Sequence, residues 1–284
     1  MKQRFHLDHL QILSPQPAAL AEFYASATLG KSTQVDESVW FCEGPARRLL
    51  FSEGGPNALG FAGYVCADEP TLARLRDRVA EHGAQIHDSC SPLFADREAF
   101  AVVDSDGNRS EFSTEGTAAS GSAALSGRLQ HVVVASREID PLLPLYTEGL
   151  GFEISDRVED GNKEATACFL RSDPEHHSFG VFAASDSRLD HHSYETDNWD
   201  DIRDWADHLS GIHVELAWGP GRHGPGNNLF LMFDDPDGNK IEISAEIERI
   251  ENGRPMGLWE HNERTLNLWG RGWLRKEPAC SGTG

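Results

Sequence analysis

A chain of 284 residues, 39% hydrophobic and 25% charged, has the composition of a globular protein long enough for one large core or two modest ones. Its formal charge of −21 at pH 7 repels phosphate backbones and anionic headgroups, which argues against nucleic-acid and membrane partners. Five dispersed cysteines, none in a C-x-x-C pair, argue against a disulfide framework and a thiolate metal site.

The opening segment, MKQRFHLDHLQIL, has neither the apolar core nor the cleavage site of a signal peptide, and no apolar run reaches the length of a membrane span. A reducing cytoplasm is the expected compartment. From Phe5 an alternating strand carries a central His9, followed by a short helical stretch with Tyr24 and a Leu-Gly turn at Gly30. GFAGYVCA then reads as a strand and EPTLARLRDRVAEHG as an amphipathic helix. The segment FAVVDSDGNRSEFS reads as strand, turn and strand, with Glu111 at the centre of the second strand. Asp, Gly and Asn supply the tight turn between the two.

The pattern then recurs. A small, polar, Gly/Ser-rich stretch at 116–127 reads as a linker. After it come a strand with central His131, a helical stretch with Tyr146, and a Leu-Gly turn at Gly151. The strand LDHHSYET and the helix NWDDIRDWADHLSG follow, and LFLMFDDPDGNKIEIS closes the half with Glu242 in place of Glu111. Each half reads as two β-α-β-β-β units. The expected fold is α+β: four tandem βαβββ modules forming two half-open barrel domains, 1–115 and 128–248. The tail at 249–284, with Trp259, Trp269 and Trp273, is aromatic enough to pack on a domain or across a subunit contact.

Strands place alternate side chains on opposite faces. His131 is thus expected to share a face with Leu129 and Val133, and Glu242 with Lys240 and Ser244, while His191 and His192 face opposite ways. Two histidines and a carboxylate, each centred on a separate strand of one concave sheet, can converge on a divalent metal and leave open positions opposite it. Taken singly, each is more often a hydrogen-bonded or surface side chain; their equivalent strand-centre positions raise the metal reading. His82, His87, His208, His213 and His261 read as solvent-facing and without partners. The Gly/Pro-rich WGPGRHGPGNN at 218–228 reads as a flexible loop over the pocket mouth.

The segment from Gly221, GRHGPGNNLFLMFDDPDGNKIE, resembles the signature of the type I extradiol ring-cleavage dioxygenases of the vicinal oxygen chelate superfamily. In that family Gly-x-His precedes an apolar strand, Asp-Pro-x-Gly and a ligand Glu. The resemblance covers the organisation of residues 5–245 and is strongest from 128 to 244. It implies His131, His191 and Glu242 as metal ligands, with His192 the competitor for the second position. It makes His177, in the HHS at 176–178, the acid–base histidine, and His223 the one that stabilises the oxygen species. His176, Met232 and Trp218 are the expected substrate contacts. The family usually has a tyrosine at the place of Met232, which cannot donate a proton, so either another donor substitutes or the substrate differs.

Beyond the site, the resemblance implies Fe(II), with Mn(II) possible, a catechol-type aromatic and O2 as substrates, and a homo-oligomer. The first half has His9 and Glu111 but no histidine where His191 stands, and reads as a bracing, metal-free copy. Two alternatives are a metal-dependent isomerase or lyase of the same superfamily and a non-catalytic binder of aromatic ligands.

Overall fold

The computed structural model describes residues 5–114, 124–251 and 253–272. Most of the expected linker, and Trp273 in the tail, lie outside them.

The first sheet has seven strands: β1 (Phe5–Ser14), β2 (Lys31–Gln34), β3 (Val39–Gly44), β4 (Arg47–Glu53), β5 (Ala58–Cys66), β6 (Ala99–Val103) and β7 (Arg109–Thr114). Their order is β2-β3-β4-β1-β5-β7-β6. The second sheet begins with β8 (Arg128–Ser136), β9 (Glu153–Glu159), β10 (Ala165–Arg171), β11 (Phe179–Ala183) and β12 (Arg188–Thr196). It continues with β13 (Leu216–Arg222), β14 (Leu229–Asp234), β15 (Lys240–Ala245) and β16 (Gly257–Glu260). Its order is β13-β14-β15-β12-β8-β11-β10-β9-β16. Both sheets are mixed, with parallel pairs β1–β4 and β5–β7 in the first and β11–β8 and β12–β15 in the second.

Helices α1 (Pro17–Ala27), α2 (Glu69–His82) and α3 (Trp199–Gly211) follow β1, β5 and β12, and side-chain caps open the last two. Asp68 accepts from Thr71 N at the start of α2, and Gly83, at φ +84°, ends it in the left-handed conformation that glycine adopts without strain. Asn198 accepts from the backbone N–H of Asp200 and Asp201 to open α3, whose first-turn aspartates complement the helix dipole. Such a cap contributes about 1 kcal/mol. Around Tyr146 the expected short helical stretch is a π-helical turn, Leu145–Gly149. Pro141 and Pro144 remove backbone donors that a longer helix would need. No helix among the described residues is long and apolar enough to cross a membrane.

One hydrophobic cluster spans both sheets. Phe5 of the first sheet meets Phe152 of the second edge-to-face at 5.0 Å. Two buried tyrosines also cross between the halves in a reciprocal way. Tyr24 donates to Asp235 at 3.0 Å, and Tyr146 donates to Asp104 at 3.0 Å. Each aspartate closes its own turn, accepting from the backbone and side-chain N–H of Asn239 or Asn108.

The tail adds β16 in parallel to β9, followed by the short α4 (Glu263–Leu266). Residues 216–222, expected as part of a flexible loop from Trp218 onward, are strand β13, paired with β14. Sequence composition gave Gly and Pro their usual turn meaning, but the ladder on β14 holds them extended. Three of the histidines expected to be partnerless have partners: His208 lies 3.1 Å from the carbonyl of Ser26, His261 2.9 Å from Thr166 Oγ1, and His82 3.9 Å from the carboxylate of Glu148.

Candidate metal centre

The three middle strands of the second sheet bring the triad together. In the ladder β8–β12–β15, His131 pairs with Ser193 and Ser193 pairs with Glu242, while His191 precedes Ser193 by two residues on the same face. The ligand atoms of His131, His191 and Glu242 all lie within 4.8 Å of one another, and all three residues are buried. His192 points the other way, into the core beside Tyr24 and Tyr194. Burial pushes its imidazole down to about 3, and neither ring nitrogen has a hydrogen-bond partner, so His192 is out of the competition for the second ligand.

Bulges aim the histidines. The register shifts between Leu189 and His191, with Asp190 at the bulge, and the side chain of Asp190 accepts from His191 Nδ1 at 2.7 Å. A second shift leaves Gln130 unpaired, and its Oε1 accepts from His131 Nδ1 at 2.5 Å. That bulge breaks the expected alternation: Leu129 joins Val132 and Val134 in the core instead of sharing the face of His131. With both Nδ1 atoms donating, both Nε2 lone pairs are left for a metal. Gln130 is itself held by the carbonyl of His177 and by Glu175.

Glu242 Oε2 lies 3.7 Å from His191 Nε2 and 3.7 Å from His223 Nε2. Its Oε1 accepts from Asn228 Nδ2 at 3.1 Å and from Ser193 Oγ at 3.4 Å. Ile241 and Ile243, which flank it in sequence, face the core as the alternation requires. Burial, reinforced by neighbouring imidazoles, holds His131 and His177 well below the ordinary histidine range. Neutral imidazole is the form that binds a metal. Two imidazole nitrogens and one carboxylate, pre-aimed at one point, suit a divalent first-row cation.

The triad opens on a cavity of about 360 Å³ with walls that include Phe169, Phe182, Leu189, Trp218 and Met232. His177 and His223 also line it. The His177 ring packs 4.4 Å from that of His131. His223 donates from Nδ1 to the carbonyl of Leu266 in the tail and stacks on Phe230 at 3.9 Å. Met232 is paired with Glu242 across β14–β15. His176, expected against the substrate, is wholly buried behind His177, with the two Nδ1 atoms 2.9 Å apart, and is not among the residues facing the cavity. Sequence reasoning missed Gln130, Asp190 and Asn228. The signal for the first two was a polar residue immediately before each ligand histidine.

The first sheet repeats the layout without the opening. His9 pairs with Gly63 and Gly63 with Glu111, so Phe61 occupies the place of His191. The segment Ser89–Ser91 fills the space between them: Ser91 Oγ lies 2.6 Å from His9 Nε2, and Glu111 accepts from Ser89 Oγ and from the N–H of Cys90 and Ser91.

Two mixed sheets with a buried His-His-Glu set on the central strands of one of them make a candidate metal centre of the two-histidine, one-carboxylate kind. Residues 128–243 match the family model of the Glyoxalase/Bleomycin resistance protein/Dioxygenase superfamily. Metapyrocatechase 2 of Cupriavidus necator is 26% identical over 245 residues, 78% of this chain and 74% of that protein. The 3-methylcatechol 2,3-dioxygenase of Pseudomonas putida is 27% identical over 269 residues, 87% of this chain and 90% of that protein. The crystal structure of homoprotocatechuate 2,3-dioxygenase from Arthrobacter globiformis superposes with a TM-score of 0.79 at 21% identity, covering 94% of this chain and 88% of that one. Residues 128–243 thus match this superfamily's model, and the chain is similar along most of its length to extradiol ring-cleavage dioxygenases.

Proposed function

We propose that the protein is an Fe(II)-dependent extradiol dioxygenase that opens the ring of a catechol-type substrate with O2. The observation that carries the reading is the buried convergence of His131, His191 and Glu242 at the floor of an aromatic-walled cavity. Bound there, ferrous iron supplies a Lewis acid that lowers the pKa of catechol hydroxyls and an electron source for dioxygen.

The chain's own residues do the rest. Phe169, Phe182, Trp218 and Met232 offer an apolar slot for an aromatic ring and exclude water from it. His177, neutral and facing the cavity, accepts a proton from the substrate and returns it later in the reaction. His223, fixed by Leu266, places Nε2 beside Glu242, where it can hydrogen-bond a substrate or oxygen atom that gains negative charge. Met232 provides no strong hydrogen bond, so orientation of the substrate oxygens falls to His223.

The same ligand set accepts Mn(II), and iron is preferred on the strength of the relatives. The reading treats 128–248 as the catalytic domain and 1–115 as a bracing, metal-free one, joined by the linker at 116–127. The four-module, half-open-barrel organisation belongs to this reading too, supported by the mixed sheets, and β16 of the tail pairs with β9 of the catalytic half. Cytoplasmic location and homo-oligomerisation belong to the same reading; the free thiols of Cys42, Cys66, Cys90 and Cys168 suit a reducing compartment.

Oxygen uptake by anaerobically reconstituted Fe(II) protein, offered simple and aryl-substituted catechols, tests it. Uptake with a new yellow product, abolished in His191→Ala, is the expected result. Tight iron binding without uptake on any catechol would reject ring cleavage of catechols.

A further inference from the structure

His176 and Asp156 lie behind the cavity and touch neither the triad nor the space in front of it. Asp156, on β9, is fully buried and fully supplied with donors. Arg254 Nη1 and the N–H of Gly257 donate to its Oδ1 at 2.9 and 3.1 Å, and Trp259 Nε1 donates to its Oδ2 at 2.6 Å. A carboxylate in that setting stays ionised and can only accept. Its Oδ2 lies 3.1 Å from His176 Nε2. The contact is electrostatic and not a well-aligned hydrogen bond, and the carboxylate favours hydrogen on His176 Nε2; in that tautomer Nδ1 is a lone pair. That lone pair faces His177 Nδ1 at 2.9 Å.

From this geometry we infer that Asp156 and His176 are positioning residues that lock His177 in the Nδ1–H tautomer, leaving its Nε2 lone pair to the cavity. The same bonds tie the tail to the acid–base histidine, because three of the donors that hold Asp156 come from Arg254, Gly257 and Trp259. Removal of the carboxylate would free the chain of imidazoles to reverse, with His176 donating to His177 and the hydrogen of His177 moved to Nε2, where it could no longer act as a base.

The inference rests on the dioxygenase reading for the use made of His177, but its test does not. Long-range proton–nitrogen spectra of ¹⁵N-histidine-labelled, Zn(II)-loaded full chain report the tautomer of each imidazole directly. A single Nδ1–H form of His177 is expected in the native protein. Asp156→Asn and His176→Leu should give a mixed or reversed tautomer, and His176→Gln, whose amide oxygen can accept from His177, should restore the native form. In the Fe(II) enzyme the first two variants should lose roughly ten- to a hundredfold in kcat with KM nearly unchanged, the scale typical of groups that orient a reacting side chain. His177 protonated on Nε2 in the native protein, or an unaltered tautomer in His176→Leu, would overturn the inference. Absence of oxygen uptake by the native enzyme would remove the dioxygenase reading alone, since the nitrogen spectra still decide the tautomer.

Discussion

The phenol of Tyr24 donates to Asp235 across 211 positions of sequence, and Asp235 in turn fixes the turn that launches the strand of Glu242. A helix of the first half thereby sets the backbone of a metal ligand in the second. Tyr146 and Asp104 repeat the arrangement in the opposite direction, but the strand launched there carries Glu111, whose oxygens are taken up by Ser89, Cys90 and Ser91.

This asymmetry makes a prediction. Tyr24→Phe and Tyr146→Phe each leave a buried carboxylate short of one donor and should each cost about 1–3 kcal/mol in urea unfolding. Only Tyr24→Phe should also weaken Fe(II) binding, measured by competition with a chelator. Equal loss of metal affinity in both would disprove the link through Asp235.

The bulge residues should matter nearly as much as the ligands. Asp190→Asn and Gln130→Leu keep the triad but loosen the Nδ1 hydrogen bonds of His191 and His131. Metal affinity should drop about ten- to a hundredfold in each, with little change in thermal midpoint. Glu242→Gln should lose tight binding outright.

Glu195 gives a pH signature away from the metal. Burial, with Glu175 adding repulsion and Arg128 opposing it, raises its carboxyl from 4.5 to about 7. One oxygen accepts from Ile247 N at 2.9 Å and the other is buried without a partner. A raised carboxyl means that the folded state holds the proton more tightly than the unfolded one. The stability it contributes is complete below about pH 4.5 and is lost as pH climbs towards 7. Glu195→Gln should therefore gain on the native protein in urea midpoint between pH 5 and pH 8. A constant difference across that range would show that Glu195 ionises normally.

Placing a histidine at Phe61 supplies the ligand that the first half lacks, yet Phe61→His should still bind one metal per chain by elemental analysis. Ser91 and Cys90 already occupy His9 and Glu111, and a metal would have to displace the whole segment. A second equivalent of bound metal would show that the segment yields easily.

Much of this was legible in the chain. The repeat, the strand-centre histidines and the DPDGN turn are local patterns, and each has a direct structural meaning. His191 and His192 could be told apart only by which face of β12 meets the core, and alternation alone leaves that choice open. Bulges at Gln130 and Asp190 escaped notice because they depend on pairing with a partner strand, not on local composition. The ladder that turns WGPGR into strand is likewise a long-range effect, set by β14. His176 was read as a substrate contact because it sits beside His177 in sequence; its ring turns towards Asp156 instead.

The edge-to-face meeting of Phe5 and Phe152 marks a place where the chain has no seam. Aromatic rings from both sheets share one interior, so neither half owns a complete set of walls. Heat should melt the molecule in a single calorimetric peak, and residues 124–272 expressed alone should precipitate. The first half then serves as the missing side of its twin's interior.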